Sequence, residues 1–417
     1  MGEPQYLAAL DLGSYKIRLV VAEWTGGAYH VVGVGSAPSQ GVKKGAVVDI
    51  EAAGAQIRTV VEQAERMIDR PIHGAFVGVG GESVALMETK GVVAVGHDDR
   101  EIRQDDVDRV IEAAKIVNLP PDRVIIDVVP SAFAVDSLSG VRDPRGMLGM
   151  RLEMTGSLVS ASRTAIHNVL RTLERADVEP YALVLPAYGA GWALLEGDER
   201  AAGTVAIDMG AQTTTVAVWQ EDVLRDLFVL PFGGAYVTHD IAHGLGTSLE
   251  VAEELKLKHG TSTVGDAAES VVFKVPQVGR GTPLALSQVE LAEIIEPRLV
   301  EMLTLIRDAL ADRGQLGLPA GIAWSGGTSA IPGFLPLARS IVHEQSRLVY
   351  PDQLGVRDPS FAAAVGMIEY AVRFNAFRLP DGVKTAARGS KRSAAMRRED
   401  ADGGLLAKVK NWLSEFI

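Results

Sequence analysis

Short apolar runs separated by turns open the chain. Residues 6–10, 17–22 and 29–34 have the length and the apolar composition of β-strands. Residues 56–68 then place apolar side chains at helical spacing, and residues 74–80 return to a strand pattern. The pattern therefore predicts a first unit in which three strands, a helix and a further strand follow one another.

The same order of elements returns in the second half of the chain. Strands are predicted over residues 204–207, 215–219 and 223–230, and the turn at Asp208 repeats the turn at Asp11, 197 residues earlier. Such weak internal similarity predicts two related lobes. A cleft between two lobes is a common place for a ligand to bind, so we expect a ligand site there.

Each predicted lobe carries an insertion. Residues 83–164 contain a helix at 104–117 and two strands of their own, which indicates a small added subdomain. Residues 235–318 are predicted to be mainly helical, with one long helix at 286–311. The predicted division is a first lobe (1–82, 165–203 and 359–380), the inserted subdomain (83–164), a second-lobe core (204–234 and 319–358), a helical insertion (235–318), a linker (381–404) and a C-terminal helix (405–417).

The composition of the chain changes after residue 380. Residues 381–404 hold almost no large apolar side chains and several basic ones, which is typical of a flexible basic linker. After it, one face of a predicted helix carries Leu405, Leu406, Val409, Trp412, Leu413, Phe416 and Ile417. At 1.5 Å per residue this helix is about 20 Å long, too short to cross a bilayer. We expect it to lie on an anionic membrane surface; the alternative is docking on the protein's own body.

Composition and charge narrow the function classes. The 417 residues are 47% hydrophobic and 23% charged, as in soluble multi-domain proteins, and the absence of cysteine excludes disulfides and thiolate metal sites. Residues 381–417 hold 8 basic and 5 acidic side chains, so they carry +3 and the rest of the chain −15. An acidic body argues against nucleic acid as a partner. The N-terminus lacks the pattern of a secretory signal, which favours a cytoplasmic protein.

Two Asp-x-Gly turns are the candidate chemical centre. Asp11 and Asp208 each end a predicted strand and precede a glycine, which lets backbone amides approach a phosphate while the carboxylate holds Mg²⁺ through water. Ser14 and Thr213 add hydroxyl donors, and Lys16 adds a positive charge. A single turn of this kind is more often a plain hairpin connection. Two copies in matching strand contexts predict a site for ATP and Mg²⁺.

Two further glycine turns follow predicted strands. Gly326-Gly327-Thr328 leads into a predicted helix, and Gly233-Gly234 lies between a strand and a helix. Glycines there would let a base, a ribose or a phosphate lie against the backbone. Taken singly, the first of these turns is explained equally well as an ordinary β-turn. The GxxxxGKS/T phosphate loop does not occur in the sequence.

In this order, the motifs resemble the actin and Hsp70 superfamily, and specifically the FtsA family of bacterial cell-division proteins. The resemblance is carried by DLGSYKIRLVVAEW, DMGAQTTTVAV, PFGGAYVTHDIAHGL, AEELKLKHG, SGGTSAIPGF and DPSFAAAVGMIEYA. QDDVDRVIEAAK, LPPDRVIIDVVPSAFAVD and DPRGMLGMRLE resemble that family's inserted subdomain. The resemblance covers nearly the whole chain. It implies an α/β, actin-like (ribonuclease-H-like) two-lobed ATPase fold with an FtsA-type inserted subdomain and a C-terminal amphipathic helix.

The resemblance also implies a nucleotide site. The residues implied are a first phosphate loop of Gly13, Ser14, Tyr15 and Lys16; a second of Gly210, Ala211, Gln212 and Thr213; Gly233 and Gly234 near the γ phosphate; Glu253 and Lys256 near the ribose and base; and Gly326, Gly327 and Thr328 at the adenosine. Trp324 is bulkier than the family pattern at its position, so its place in the base pocket is left open. Asp11 and Asp208 are the expected Mg²⁺ residues, through water.

One departure from the family pattern bears on hydrolysis. Many hydrolysing relatives keep an acidic or amide side chain just before the connecting helix to orient water, whereas residues 183–186 here read Leu-Val-Leu-Pro. An apolar side chain cannot position a nucleophile. We therefore expect slow or negligible ATP hydrolysis, with Asp11, Asp208 and Gln212 as the candidate catalytic residues.

The resemblance further implies a membrane scaffold. Members of that family polymerise on the inner membrane, tether the ring of the tubulin-like protein FtsZ to it and recruit later division proteins. This implies self-association, a peripheral position on the cytoplasmic face of the membrane at the division site, and binding of the FtsZ C-terminal peptide near Arg298. The plainer role of Arg298 is a salt bridge on a helix surface.

Two other functions of the same superfamily remain as alternatives. An ATP-binding pilus-assembly scaffold should lack the C-terminal amphipathic helix. A small-molecule kinase should carry a catalytic carboxylate in the cleft and no lipid-binding tail.

Overall fold

The computed structural model describes residues 5–25, 27–279 and 282–375. The predicted linker at 381–404 and the predicted helix at 405–417 lie outside these residues. Within the described ranges, no helix has both the length and the apolar character that a membrane crossing requires.

The first half of the chain folds into two larger sheets and their helices. Its elements are β1 (Gln5–Leu12), β2 (Lys16–Thr25), β3 (Ala28–Pro38), β4 (Val42–Lys43), β5 (Ala46–Val47), α1 (Ile50–Ile68), β6 (Gly74–Gly78), β7 (Ala85–Ala94), α2 (Gln104–Ala114), β8 (Arg123–Val135), β9 (Leu138–Val141), β10 (Arg151–Ser162), α3 (Arg163–Ala176), β11 (Glu179–Val184), α4 (Pro186–Leu194) and α5 (Gly197–Ala202). The first lobe has a five-stranded sheet of order β11-β6-β1-β2-β3, and the inserted subdomain has a four-stranded sheet of order β7-β10-β8-β9.

The second half builds a sheet of the same kind. Its elements are β12 (Thr204–Met209), β13 (Thr214–Gln220), β14 (Val223–Leu230), α6 (Gly234–Leu245), α7 (Leu249–His259), β15 (Val272–Val275), β16 (Leu284–Ser287), α8 (Gln288–Asp312), β17 (Ile322–Ser325), α9 (Phe334–Ile341), β18 (Ser346–Leu348) and α10 (Ala362–Tyr370). The five-stranded sheet has the order β14-β13-β12-β17-β18. Helices α6, α7 and α8 and the β15–β16 hairpin lie between β14 and β17, in the stretch where the sequence predicts a helical insertion.

The two five-stranded sheets repeat one topology. In each, three antiparallel strands are followed by a parallel strand that pairs with the first of them, β6 with β1 and β17 with β12. The tight turns match as well: Leu12 stands opposite Ile17, and Met209 stands opposite Thr214. The offset is 197 residues at both positions, as the sequence predicted for the turns.

Several element boundaries differ from the prediction for local reasons. Helix α1 begins at Ile50 rather than at residue 56, because the Asp49 side chain accepts a hydrogen bond from the Ala52 amide at 3.0 Å and caps the helix there. The helix predicted after Gly326-Gly327 is only a 3₁₀ turn, Gly327–Ala330. Pro332 follows, and a residue before proline is disfavoured in the helical region. The α-helix α9 starts after it.

Helices α4 and α10 pack between the two sheets. Their buried side chains share one apolar cluster with strands from both lobes. The helices approach closely at Gly189 and Gly366, since a Cβ atom at Gly189 would lie 2.1 Å from the Gly366 carbonyl oxygen. On the second-lobe side, Tyr188 stacks on Trp219 with 5.4 Å between ring centroids. This helix pair therefore connects the two lobes behind the cleft.

Candidate functional site

The turns at Asp11 and Asp208 line one cleft between the lobes. The cleft has a volume of about 360 Å³. The residues that the sequence assigned to the site and that line it are Asp11, Gly13, Ser14, Tyr15, Lys16, Asp208, Gly210, Ala211, Gln212, Thr213, Gly234, Glu253, Lys256, Gly326, Gly327 and Thr328. Gly233 does not line it and is instead the N-cap of α6. The repeated turns thus meet at a single place in the fold.

Asp11 and Asp208 bring two carboxylates to the cleft. Both are partly buried and line the cleft. Burial raises the pKa of Asp11, against the opposing charge of Arg18. Burial, and then the charge of Asp11, raises the pKa of Asp208 to about 7, again opposed by Arg18. The two carboxylates therefore resist ionising together unless a cation balances them.

A divalent cation fits this donor set. Mg²⁺ takes oxygen ligands and is usually bound by one or two carboxylates together with substrate phosphates and water. Asp11 and Asp208 supply the two carboxylates, and the hydroxyl groups of Ser14 and Thr215 line the same cleft.

Glycines keep the carboxylates accessible. Gly326 has a φ of 88°, and a Cβ atom there would lie 2.4 Å from Asp208 Oδ1 and 2.5 Å from the Met209 carbonyl oxygen. A Cβ atom at Gly13 would lie 2.5 Å from the Lys16 carbonyl oxygen. Any larger residue at Gly326 would strain the backbone and crowd Asp208.

The tip of the β4–β5 hairpin touches both loops that the sequence assigns to phosphate, at residues 13–16 and 210–213. Its turn residues, Lys44 and Gly45, have φ values of 49° and 76°, as in a two-residue hairpin turn of type I′. The Gly45 amide donates to Ser14 Oγ at 3.1 Å, and the Lys44 amide donates to Gln212 Oε1 at 2.8 Å. Ser14 belongs to the first lobe and Gln212 to the second. The Gln212 side chain therefore bridges the lobes, which the sequence did not indicate.

The second loop is also tied to the start of α6. The amides of Gly234 and Ala235 donate to the carbonyl oxygens of Gly210 and Ala211 at 3.0 and 2.7 Å. Thr328 Oγ1 donates to the same Gly210 oxygen at 2.8 Å. These amides, expected to face a phosphate, are thus already paired with the protein's own backbone. The bonds hold the second loop in place.

Glu253 and Lys256 line the cleft as a buried ion pair. Lys256 Nζ donates to Glu253 Oε2 at 2.7 Å, to Thr238 Oγ1 at 2.8 Å and to the Gly234 carbonyl oxygen at 3.0 Å, which uses all three of its donors. Burial lowers the pKa of Lys256, and the charge of Glu253 opposes that shift. This pair fixes α7 against α6 at the cleft wall.

Trp324 lies in the core of the second lobe. It is fully buried on β17 and meets Phe334 edge to face, with 5.3 Å between ring centroids. It is not among the cleft residues. Its bulk therefore fills the sheet interior rather than the expected base pocket.

The cleft wall at the start of α4 is apolar. Leu185 is buried and precedes the helix, while Pro186 is its first residue and lines the cleft. A smaller cavity of about 70 Å³ behind the wall is lined by both residues and touches Asp208. Pro186 rather than Leu185 is therefore the side chain that faces the cleft, and neither can orient water.

Other lining residues were not assigned from the sequence. Among them are Arg18, Gly45, Gly80, Gly81, Asp358 and Ser360. Gly80 and Gly81 follow β6 as the two glycines at 326–327 follow β17, so the internal repeat was the signal that could have identified them. Arg18 stands opposite Asp11 in the β1–β2 pairing. The two residues are only seven positions apart, so the predicted hairpin could have identified Arg18 as a residue of the site. Asp358 and Ser360 come from a distant segment; they belong to the DPSFAAAVGMIEYA motif that carries the resemblance, but the sequence assigned them no role in the site.

Arg298 lies on α8, away from the cleft. Its Nη2 donates to Asp240 Oδ1 at 3.1 Å, its Nη1 donates to Glu301, and its guanidinium lies 5.9 Å from the Tyr236 ring centroid. The side chain remains 28% exposed. The described contacts are those of a surface salt bridge whose cation is still partly accessible.

The fold and the cleft together define an actin-like protein. The chain matches a chain of the PilM–PilN type IV pilus biogenesis complex with a TM-score of 0.63 at 19% identity, covering 88% of this chain and 98% of the other. It matches MreB5 of Spiroplasma citri bound to ADP with a TM-score of 0.53 at 11% identity, covering 88% and 96%. A MamK double helical filament gives 0.50 at 14% identity, covering 88% and 98%. These likenesses confirm the predicted fold.

The sequence comparisons identify the family. Residues 205–366 match the model for cell division protein FtsA, and residues 81–160 match that for the SHS2 domain inserted in FtsA. The chain is 39% identical over 373 residues to cell division protein FtsA of Bacillus subtilis (strain 168), covering 89% of this chain and 85% of the relative. The Pseudomonas aeruginosa PAO1 protein of that name is 34% identical over 414 residues, covering 98% and 97%. The chain belongs to the FtsA family of cell-division proteins.

Proposed function

We propose that this chain is a nucleotide-regulated scaffold that binds ATP and Mg²⁺, forms filaments on the inner face of the cell membrane and tethers FtsZ there, recruiting later division proteins. The observation that carries the nucleotide part is the pair of partly buried carboxylates, Asp11 and Asp208, that line the cleft where the two repeated turns meet. Membership of the FtsA family supports the division role. A pilus-assembly role has only the shared fold in its favour.

The residues of the cleft have complementary roles in nucleotide binding. The backbone amides of residues 13–16 and 211–213 are suited to phosphate oxygens, and Lys16 and Arg18 add positive charge. Residues 326–328 would hold the adenosine against the glycine backbone. Mg²⁺, when bound, would neutralise phosphate charge beside Asp11 and Asp208. The ADP-bound MreB5 fold neighbour supports nucleotide binding by a protein of this fold.

Hydrolysis in this cleft should be slow. The wall formed by Leu185 and Pro186 offers no acceptor for a water proton, and the Gln212 side-chain oxygen is engaged by the Lys44 amide. Asp11 and Asp208 are the remaining candidate groups, and both are better suited to a metal. We expect a turnover well below about 1 per second, the low end of ordinary enzymes.

The proposed membrane contact is the apolar face running from Leu405 to Ile417. Basic residues in the preceding linker gain roughly 1 kcal/mol each near anionic lipid. One short helix gives only modest affinity, whereas a filament presents many copies at once and gains by avidity. The filament form of the MamK fold neighbour supports self-association as part of the proposal. Polymerisation would thereby control membrane attachment.

One sedimentation experiment tests the tether. FtsZ is mixed with anionic liposomes and ATP, together with the full chain, a version ending at Gly404, or the variant Arg298→Glu. The full chain should bring FtsZ down with the liposomes. The shortened chain should leave both proteins in solution, and Arg298→Glu should sediment without FtsZ. Sedimentation of the shortened chain equal to the full one would remove the membrane helix from the proposal, and undiminished FtsZ recovery with Arg298→Glu would remove the partner site.

A further inference from the structure

Arg18 breaks the symmetry of the two repeated turns. It stands opposite Asp11 in the β1–β2 pairing, and its counterpart 197 residues later, Thr215, stands opposite Asp208 in the β12–β13 pairing. Both residues line the cleft. Cross-strand partners have side chains on the same face of the sheet, a few Å apart. The fold therefore places a guanidinium beside one carboxylate and a hydroxyl beside the other.

The Arg18 guanidinium donates one hydrogen bond to Ser360 and has another N–H group without an acceptor among the described residues. Its Nη2 donates to Ser360 Oγ at 2.8 Å, and its central carbon lies 5.1 Å from the Phe361 ring centroid. Within the described part of the chain, its buried Nε has no hydrogen-bond partner. A buried donor left unpaired is unfavourable, so such a group beside a ligand cleft is stabilised when a ligand oxygen accepts from it.

The segment that holds Arg18 is in contact with both lobes. It is a 3₁₀ turn, Pro359–Phe361, whose first amide hydrogen bond runs from Ser360 to Asp358 Oδ1 at 2.8 Å. Arg18 reaches it from the first lobe, and the Gly326 amide of the second lobe donates to the Pro359 carbonyl oxygen at 3.0 Å. The turn continues directly into α10. A ligand that fixes Arg18 and Gly326 would therefore fix this turn as well.

We propose that Ser360 is a positioning residue for the nucleotide: it holds Arg18 so that the free N–H groups of the guanidinium point to phosphate oxygens. Arginine has five donors in a planar fork, so one can remain on Ser360 while others bind phosphate. Bound nucleotide then stabilises the 358–361 turn and the first turn of α10 through the same contact. This inference rests on the proposed nucleotide site and adds a residue and a responding segment to it.

Affinity measurements on matched variants give the first test. A fluorescent ATP analogue with Mg²⁺ is titrated into the full wild-type chain, Ser360→Ala, Ser360→Thr and Ser340→Ala, the last being a hydroxyl deletion on α9 away from the cleft. Ser360→Ala should bind about five- to tenfold more weakly, because the Ser360 bond acts on the ligand only through Arg18 and part of its free energy is lost to binding. Ser360→Thr keeps the acceptor and should bind close to wild type, as should Ser340→Ala.

Hydrogen exchange gives a readout that a purely structural contact would not change. In the wild type, nucleotide should slow amide exchange across residues 358–366, and in Ser360→Ala that slowing should be largely lost even with the site saturated. A structural role alone would speed exchange equally with and without nucleotide. Wild-type affinity and wild-type protection in Ser360→Ala would overturn the inference. Failure of the wild type to bind any nucleotide would instead overturn the proposed function.

Discussion

At the scale of single residues, the central feature is the raised pKa of Asp208, which is caused first by burial and second by the charge of Asp11. Because folding raises the pKa of Asp208 to about 7, the folded protein binds more protons than the unfolded chain from about pH 4 to pH 7. Stability without ligand therefore falls as pH rises through this window. A divalent cation requires the same two carboxylates in their ionised form. Their ionisation therefore lowers the stability of the ligand-free protein and raises its affinity for the cation.

Asp208→Asn should separate these two effects. Without ligand at pH 8, the variant should be more stable than the wild type by on the order of 1–3 kcal/mol, and the difference should vanish near pH 3, where the wild-type carboxyl is mostly protonated in both the folded and the unfolded state. Denaturant unfolding at both pH values measures this. Binding of the Mg²⁺-dependent nucleotide should drop sharply in the same variant. Asp308→Asn, on the exposed face of α8, is the control, and a variant less stable than the wild type at pH 8 would contradict the argument.

At the scale of elements, the β4–β5 hairpin is the contact that joins the two phosphate loops. Gln212→Ala removes the acceptor of the Lys44 amide, so the hairpin tip loses its bond to the second lobe. A neutral hydrogen bond contributes about 0.5–1.5 kcal/mol, so labelled nucleotide should dissociate about two- to tenfold faster, as measured by stopped-flow displacement. Lys44→Asn is the matched control because it keeps the amide and tolerates a positive φ. An unchanged release rate in Gln212→Ala would rule out the bridging role.

Elements formed by local patterns could be predicted, whereas contacts between distant segments could not. The strand–turn–strand repeats at Asp11 and Asp208 follow from alternation and glycine chemistry within about twenty residues, and the structure has them in register. The start of α1 at Asp49 was equally local, since an aspartate before the apolar period is an N-cap signal, but it was missed. The bonds from Arg18 to Ser360 and from Lys44 to Gln212 span 342 and 168 residues. Only the folded chain reveals such pairs.

At the scale of the whole molecule, the lobes are connected behind the cleft by the close packing of α4 and α10. A Cβ atom at Gly366 would lie 2.3 Å from the Ala190 amide nitrogen, a backbone atom that cannot move without separating the two helices. Gly366→Ala should therefore lower the free energy of unfolding by about 1–3 kcal/mol, although alanine favours helix over glycine by about 1 kcal/mol. Thermal unfolding with and without ATP measures it.

The matched control for this prediction is Gly244→Ala on α6. There the added Cβ atom would lie 3.2 Å from Ile294 Cδ1, the end of a flexible side chain that can move aside. The control should keep or raise the unfolding temperature, because it gains helix propensity without displacing backbone. If both variants behave alike, the packing of α4 on α10 is not what limits stability. If only Gly366→Ala is destabilised and ATP restores less of its stability than in the wild type, the helix pair also sets the lobe spacing that the nucleotide cleft requires.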